Sequence, residues 1–110
     1  MTYTSQLIST DDIFELLADG RRRTIVRHVD DAAGTLTLDA IAESATESAM
    51  AHDEWVLAAD HRHLPKLETQ GVVEYDAADR TITEGPQFDE VATLLTVIGE
   101  YRNDVACGRP

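Results

Sequence analysis

The chain has 110 residues, close to the commonest domain size, and predicts a single domain over residues 1–110 with one buried core. It carries 21 acidic against 9 basic residues, a net charge of −12, and one cysteine, Cys107. A single cysteine excludes an intramolecular disulfide framework and a thiolate metal cluster. The sequence has neither an 18-residue apolar run nor a signal-peptide pattern, so we predict a cytoplasmic protein without a membrane segment.

The acidic residues are spread along the whole chain, and Lys66 is the only lysine. This pattern is typical of adaptation to molar salt, where carboxylates keep the surface hydrated. The alternative is an acidic protein that avoids polyanions. At about 1 M salt the Debye length is about 3 Å, so the net charge alone does not exclude DNA binding. We expect DNA binding, if present, to depend on residues within contact distance and to be weaker than that of a basic protein.

The first half of the chain predicts three helices and a short strand. Thr10 and the acids after it suit a helix start, and Asp19-Gly20 separates the first two helices. The predicted elements are a helix over residues 11–18, a helix over 21–29, a loop over 30–35, a strand over 36–38 that pairs with a later hairpin, and a helix over 38–45. The alanine-rich segment 44–52 predicts a long connection to the next helix.

A long helix is predicted over residues 52–70, followed by a β-hairpin. Leu57, Leu64 and Leu67 are expected on its buried face, and Gly71 supplies its stop. Pro65 removes a backbone donor, so the helix either bends there or a new one begins at Leu64. The hairpin consists of strands over 72–76 and 81–84 joined by a polar tip that carries Arg80.

A last helix is predicted over residues 87–103, with two apolar rows. The first row is expected to cover the core, and its members are Phe88, Val91, Leu95 and Ile98. The second row consists of Leu94, Val97 and Tyr101. Because a terminal helix of a small domain needs only one apolar row, the second predicts a homodimer interface. Deeper burial of this helix within its own domain is the alternative.

Two segments resemble the winged helix-turn-helix of the arsenical-resistance-repressor type: residues 13–29, IFELLADGRRRTIVRHV, and residues 63–76, HLPKLETQGVVEYD. With the acidic composition, they are similar to uncharacterised winged-helix proteins of halophilic archaea. The resemblance implies a mainly α fold with a small β-hairpin (α+β), a winged-helix core over 10–86 and a C-terminal dimerisation helix over 87–103. It further implies a homodimeric transcriptional regulator of double-stranded DNA, with the long helix in the major groove and the hairpin wing on the backbone.

The long helix carries the predicted DNA contacts His61, Arg62, His63 and Lys66. Helical spacing places Arg62 and Lys66 on one face, from which they can reach phosphates or guanine edges. The alternative is a solvated surface on which Arg62 pairs with a nearby carboxylate: Glu54, Asp60 or Glu68.

Three further arginines are predicted to contact the DNA backbone: Arg21 and Arg22 at the start of the second helix, and Arg80 at the wing tip. The two helix arginines, together with Arg23, stand at the wrong end for the helix dipole. The alternative is that they pair with acids of the first helix and its turn, namely Asp12, Glu15 or Asp19.

Enzymatic chemistry is not predicted. No catalytic triad, phosphate loop or metalloprotease motif is present. His61 and His63 are two residues apart, about 200° around a helix, so they cannot both reach one metal ion unless Pro65 unwinds the turn. The repressor type's paired cysteines are missing, and no metal or other cofactor is predicted.

Trp55 is expected in the core; the alternative is the lining of a small-ligand site. The competing function is a winged-helix protein-interaction module that does not bind DNA.

Overall fold

The computed structural model describes residues 8–107, and side chains up to residue 102. Its elements in chain order are α1 (Thr10–Leu17), α2 (Gly20–Ala32), β1 (Leu36–Thr37), α3 (Leu38–Ala45), α4 (Ala49–Ala58), a π turn (Ala59–His63), α5 (Leu64–Thr69), β2 (Val73–Asp76), β3 (Thr81–Glu84) and α6 (Phe88–Cys107). The predicted fold class, mainly α with a small β-hairpin, is confirmed. α2 continues to Ala32, so the predicted loop over 30–35 is wrong in its first half.

Four helices begin at a side-chain cap, which satisfies a backbone N–H that has no partner within the helix. Ser9, Asp19, Thr37 and Ser48 accept these bonds at 2.8–3.2 Å. The cap of α1 is therefore Ser9, one residue before the predicted Thr10.

The turn between α3 and α4 is short. α3 ends at Ala45 and the Ser48 cap starts α4 at Ala49, so only residues 46–48 separate the two helices. The predicted long connection over 44–52 is wrong because its alanines, after the Ser48 cap, extend the following helix. α3 and α4 thus form a tight helix-turn-helix.

α4, the π turn and α5 run on as one long helix (residues 49–69). Pro65 has no N–H to donate to the carbonyl of His61, and the chain widens into the π turn just before it. A new α-helical segment begins at Leu64, which is one of the two predicted outcomes. The long helix stops at Gly71, whose φ of +78° lies in the left-handed region that glycine adopts without strain.

The π turn also explains a wrong prediction. Leu57 is 60 % exposed, whereas Leu64 and Leu67 are fully buried. A regular α-helix would place residues 57 and 64 on the same face. The wider π turn rotates the residues after it around the helix axis, so the two leucines point to different sides. Trp55, Val56 and Ala59 face the core from the first half of the long helix instead.

The sheet is antiparallel, with strand order β1-β3-β2. Leu36 and Tyr75 both stand opposite Ile82, on the two sides of the central strand. This confirms the predicted pairing of the short strand with the hairpin. The N–H of Leu38 at the start of α3 donates to the carbonyl of Arg80 at 2.8 Å, so the hairpin tip is fixed beside the helix-turn-helix.

α6 packs against α2 and closes the core. Phe88, Val91 and Leu95 of its first row are buried and Ile98 is half-buried, which confirms the predicted core-facing side. None of the described helices has the length and apolarity needed to cross a membrane.

Candidate nucleic-acid interface

The second half of the long helix exposes two cations, Arg62 and Lys66. Lys66 Nζ lies 3.4 Å from Glu15 Oε2 of α1. Among the described residues, no carboxylate lies within ion-pair distance of the Arg62 guanidinium; the carboxylate of the neighbouring Asp60 faces His61 instead, at 3.6 Å. The alternative in which Arg62 is neutralised on the helix surface is therefore not what the structure shows.

Arg21 adds a third exposed cation. Arg21 and Arg62 both lie close enough to the buried His63 for their charges to lower the pKa of its ring. We call Arg21, Arg62 and Lys66 the cationic cluster. It lies where the start of α2 meets the second half of the long helix.

Two predicted DNA contacts, Arg22 and His63, are wrong because both side chains are buried, at 8 % and 0 % exposure. Arg22 Nε donates to the carbonyl of Leu16 at 2.6 Å, and its Nη2 donates to the carbonyl of Glu15 at 3.0 Å. Its Nη1 lies 3.2 Å from Nδ1 of His63. Neither side chain can reach a nucleic acid from this position.

The physical reason lies at the end of α1, whose last carbonyls lack helical partners. Arg22 donates to the carbonyl of Leu16 and adds a second donor to that of Glu15, which also accepts the N–H of Ala18. Arg23 Nη1 donates to the carbonyl of Leu17 at 2.6 Å. The predicted alternative of acid pairing missed this as well, because these two arginines bind carbonyl oxygens. The signal in the sequence was an arginine run directly after a tight break, where a guanidinium can turn back onto the preceding helix.

We call the β2–β3 hairpin (residues 73–84) the wing; its tip places Arg80 beside α3. Its φ of 56° is left-handed, and its Nη1 lies 3.8 Å from Asp39 Oδ1 at 48 % side-chain exposure. Asp39 is shared with His52, whose Nε2 lies 3.5 Å from the same oxygen. Arg80 is thus exposed, as predicted, and partly neutralised.

A groove of about 360 Å³ lies between the long helix and the wing tip; we call it the wing groove. It is lined by Asp39, His52, Asp53, Val56, Leu57, Asp60, His61 and Arg80. Three carboxylates face one arginine and two histidines there. The wing groove is therefore acidic, in contrast to the cationic cluster.

Tyr75 ties β2 to the π turn, an interaction that sequence reasoning missed. Its hydroxyl donates to Asp60 Oδ1 at 2.5 Å. Burial, and then the hydrogen bond and charge of Asp60, raise the pKa of Tyr75 well above its usual range. The hydroxyl keeps its proton and holds the hairpin against the long helix.

The second apolar row of α6 is only partly covered. Val97 is 54 % and Tyr101 69 % exposed, and Leu94 is half-buried. Phe14 of α1, 53 % exposed, lines a shallow groove together with Leu94 and Val97. We call Phe14, Leu94, Val97 and Tyr101 the α6 face. Its exposure contradicts the alternative of deeper burial within one chain.

Other candidate sites are not assembled. Trp55 is 8 % exposed and belongs to the core, as predicted, so it does not line a ligand site. Within residues 8–102, no group of three or more histidine, cysteine, aspartate or glutamate side chains could hold a metal ion.

A family model described as a domain of unknown function (DUF7344) matches residues 14–83 of the chain. The match runs from α1 to β3 and includes the cationic cluster and the wing. Neither a curated protein nor a solved structure matches the chain.

Proposed function

The chain belongs to the DUF7344 family, whose function is unknown, and we propose that it is a cytoplasmic transcriptional regulator that binds double-stranded DNA as a homodimer. The observation that carries this proposal is the tight α3–α4 turn followed by the exposed side of the long helix, with the hairpin tip hydrogen-bonded to the start of α3. An α-helix fits the major groove of B-DNA, about 12 Å wide, and an adjacent hairpin can then follow the backbone.

The cationic cluster supports phosphate contacts beside the groove-facing helix. The guanidinium fork of Arg62 has no carboxylate partner in the part of the chain that the structure describes, and its geometry matches a phosphate. Lys66 can exchange its exposed contact with Glu15 for a phosphate at small cost, because exposed ion pairs contribute only about 0–1 kcal/mol. Arg21 extends the same surface onto α2. These contacts fix the position of the protein on the duplex, and they do not by themselves read its sequence.

The double substitution Arg62→Ala/Lys66→Ala is expected to weaken DNA binding by roughly tenfold to a hundredfold at low salt, because two phosphate contacts are lost. The plot of log affinity against log KCl concentration should also become less steep, by up to about 2. Fluorescence anisotropy with a duplex from the protein's own promoter region measures both.

The matched control is Arg27→Ala/Arg102→Ala. It removes the same charge from two exposed arginines that line a groove beside α6. If both double variants lose affinity equally while keeping the same oligomeric state, only net charge matters and the cationic cluster is not the contact surface.

The homodimer part of the proposal is supported by the α6 face. Its exposed apolar side chains are the kind of surface that a second copy covers in a two-fold contact. Two copies with a net charge of −12 each repel one another in dilute salt. Molar salt screens that repulsion without weakening apolar burial, so dimerisation and DNA binding respond oppositely to salt.

Val97→Asp is expected to make the protein monomeric in molar KCl while leaving the domain folded, because Val97 is exposed within one chain. Burying a carboxylate at a dimer contact without a counter-charge is strongly unfavourable. Met50→Asp, at a 74 % exposed methionine of α4, is the control and should remain dimeric. Sedimentation equilibrium distinguishes the two; a wild-type monomer, or a Val97→Asp dimer, would overturn this assignment.

A second function, docking of another protein, is favoured by the acidic wing groove. Asp39, Asp53 and Asp60 stand where the wing and long helix would approach phosphates. Met50 and Leu57 expose apolar surface on the same helix, which suits a basic amphipathic segment more than a polyanion. A folded protein that binds no DNA at any salt concentration would favour this second function.

A further inference from the structure

The buried pair of Arg22 and His63 is not used by any proposed contact. We infer that these are positioning residues: they hold the second half of the long helix against the α1–α2 turn, and proton uptake by His63 releases that hold. The pair thereby sets where Arg62 and Lys66 stand. We call this pH-dependent contact between Arg22 and His63 the lock. Its effect on DNA binding rests on the proposed function, whereas the lock itself does not.

The geometry fixes the proton of the neutral His63 ring. Arg22 is held by two carbonyls of α1, so its Nη1 is a fixed donor towards His63 Nδ1 at 3.2 Å. An arginine has no acceptor, so Nδ1 must be unprotonated and the ring proton must lie on Nε2. Nε2 is buried, 3.9 Å from Asp19 Oδ1, and has no hydrogen-bond partner among the described residues. Only the neutral ring with this tautomer satisfies Arg22.

A second proton on His63 has two consequences. Nδ1 would become a donor facing the donor of Arg22, which breaks the bond. The new charge would also be buried beside Arg21 and Arg22 of α2 and Arg62 of the π turn, which oppose it, while the carboxylate of Asp19 favours it. Both effects push the long helix away from the α1–α2 turn.

The pKa of His63 is lowered accordingly, first by burial and then by the three arginines, while Asp19 acts in the opposite direction. The pKa of Asp19 is lowered too: burial raises it, but the N–H of Arg21 and the neighbouring positive charges outweigh that effect. Asp19 therefore stays mostly ionised at and above its ordinary pKa of 3.8. Because unfolded His63 takes up protons near 6.5 and the folded ring resists, stability is lost as pH falls below 6.5 and levels off below the lowered pKa.

Local opening is expected first at the π turn. Pro65 already removes one backbone donor there, so residues 59–63 have fewer helical bonds to lose than α4. Arg62 lies within the π turn and Lys66 follows one turn later. Release of His63 therefore displaces two members of the cationic cluster.

The test uses NMR on the full chain in molar KCl without DNA. The His63 ring nitrogens should show the Nε2–H tautomer and a titration midpoint below 6.5. Amide protection factors over residues 59–66 should fall by up to roughly tenfold per pH unit between pH 6.5 and that midpoint. His63→Gln keeps an acceptor for Arg22 but cannot titrate, so it should lose this pH dependence. The control His61→Gln, at the exposed neighbour, should behave like the wild type.

A His63 ring that titrates at 6.5 or above, or that carries its proton on Nδ1, would overturn the lock. Both measurements are made on the wild-type protein, so they do not depend on whether a variant folds. Equal pH dependence in wild type and His63→Gln would overturn it as well. If the protein does not bind DNA, the His63 tautomer, its titration and the amide protection are unaffected. The lock and the proposed DNA binding can therefore be disproved independently. If DNA binds, the ratio of wild-type to His63→Gln affinity should decrease as pH falls.

Discussion

Arg22→Ala is expected to lower the free energy of unfolding by about 3 kcal/mol. The substitution removes donors from the carbonyls of Glu15 and Leu16 and from Nδ1 of His63. The Glu15 carbonyl keeps its bond from the Ala18 N–H, so the Leu16 carbonyl and His63 Nδ1 are the two acceptors left without their donor. Each such buried acceptor costs roughly 1–3 kcal/mol, and hydration of the helix end recovers part of that. Urea unfolding in molar KCl, followed by circular dichroism, measures the change.

Arg21→Ala is the matched control, since it removes the same side chain one position earlier at an exposed site. We expect a change within about 0.5 kcal/mol, as for other surface substitutions. Equal effects of the two substitutions would mean that Arg22 contributes only its charge and not its buried hydrogen bonds.

Gly85→Ala is expected to destabilise the fold by about 3 kcal/mol, at the upper end for overpacking. A Cβ at residue 85 would approach the carbonyl oxygen of Gly71 to 2.4 Å and its carbonyl carbon to 2.9 Å. Both atoms belong to the backbone, so no rotamer change relieves the clash. Gly85 also donates its N–H to the carbonyl of Val72 at 2.9 Å, and this hydrogen bond joins the two chain segments at the base of the wing.

Gly99→Ala is the control for this prediction. Gly99 lies within α6, and a Cβ there meets no atom within 4 Å among the described residues. Because alanine is the better helix former, we expect stabilisation by roughly 0.5–1 kcal/mol. If Gly85→Ala unfolds at the same urea concentration as the wild type, the two chain segments at the base of the wing are not in close contact.

Most elements of the fold follow from local sequence signals. Short polar caps mark the starts of α1, α2 and α3 within one residue, whereas the long helix begins at Ala49, three residues before its predicted start, because the Ser48 cap was missed. The β-branched strands with a polar tip between them mark the hairpin. The phase of Leu57 does not follow from local signals, because it depends on the π turn ahead of Pro65. Proline alone permitted a bend or a new helix, and the packing of His63 against Arg22 accompanies the observed turn. That contact joins residues 41 positions apart.

Of the candidate site, the sequence predicts only those residues whose exposure follows from their spacing along a helix. Arg62 and Lys66 are exposed on the long helix, as their offset from Leu64 and Leu67 predicts. The sequence predicts Arg22 and His63 on the surface as parts of two basic runs, because an arginine is seldom buried. Their burial depends on unpaired carbonyls at the end of α1, which only the three-dimensional arrangement places beside Arg22.

The measurement that tests the central claim most directly is binding of the wild-type protein to a labelled duplex from its own promoter region, titrated from low to molar KCl. We predict saturable binding whose log affinity falls linearly with log KCl concentration over the range in which the protein is dimeric. The slope should reach roughly −3 to −4 per protomer if Arg21, Arg62, Lys66 and Arg80 all contact phosphates. Absence of binding at every salt concentration, by a protein that is folded and dimeric, would contradict the proposal and direct the search to protein partners of the wing groove.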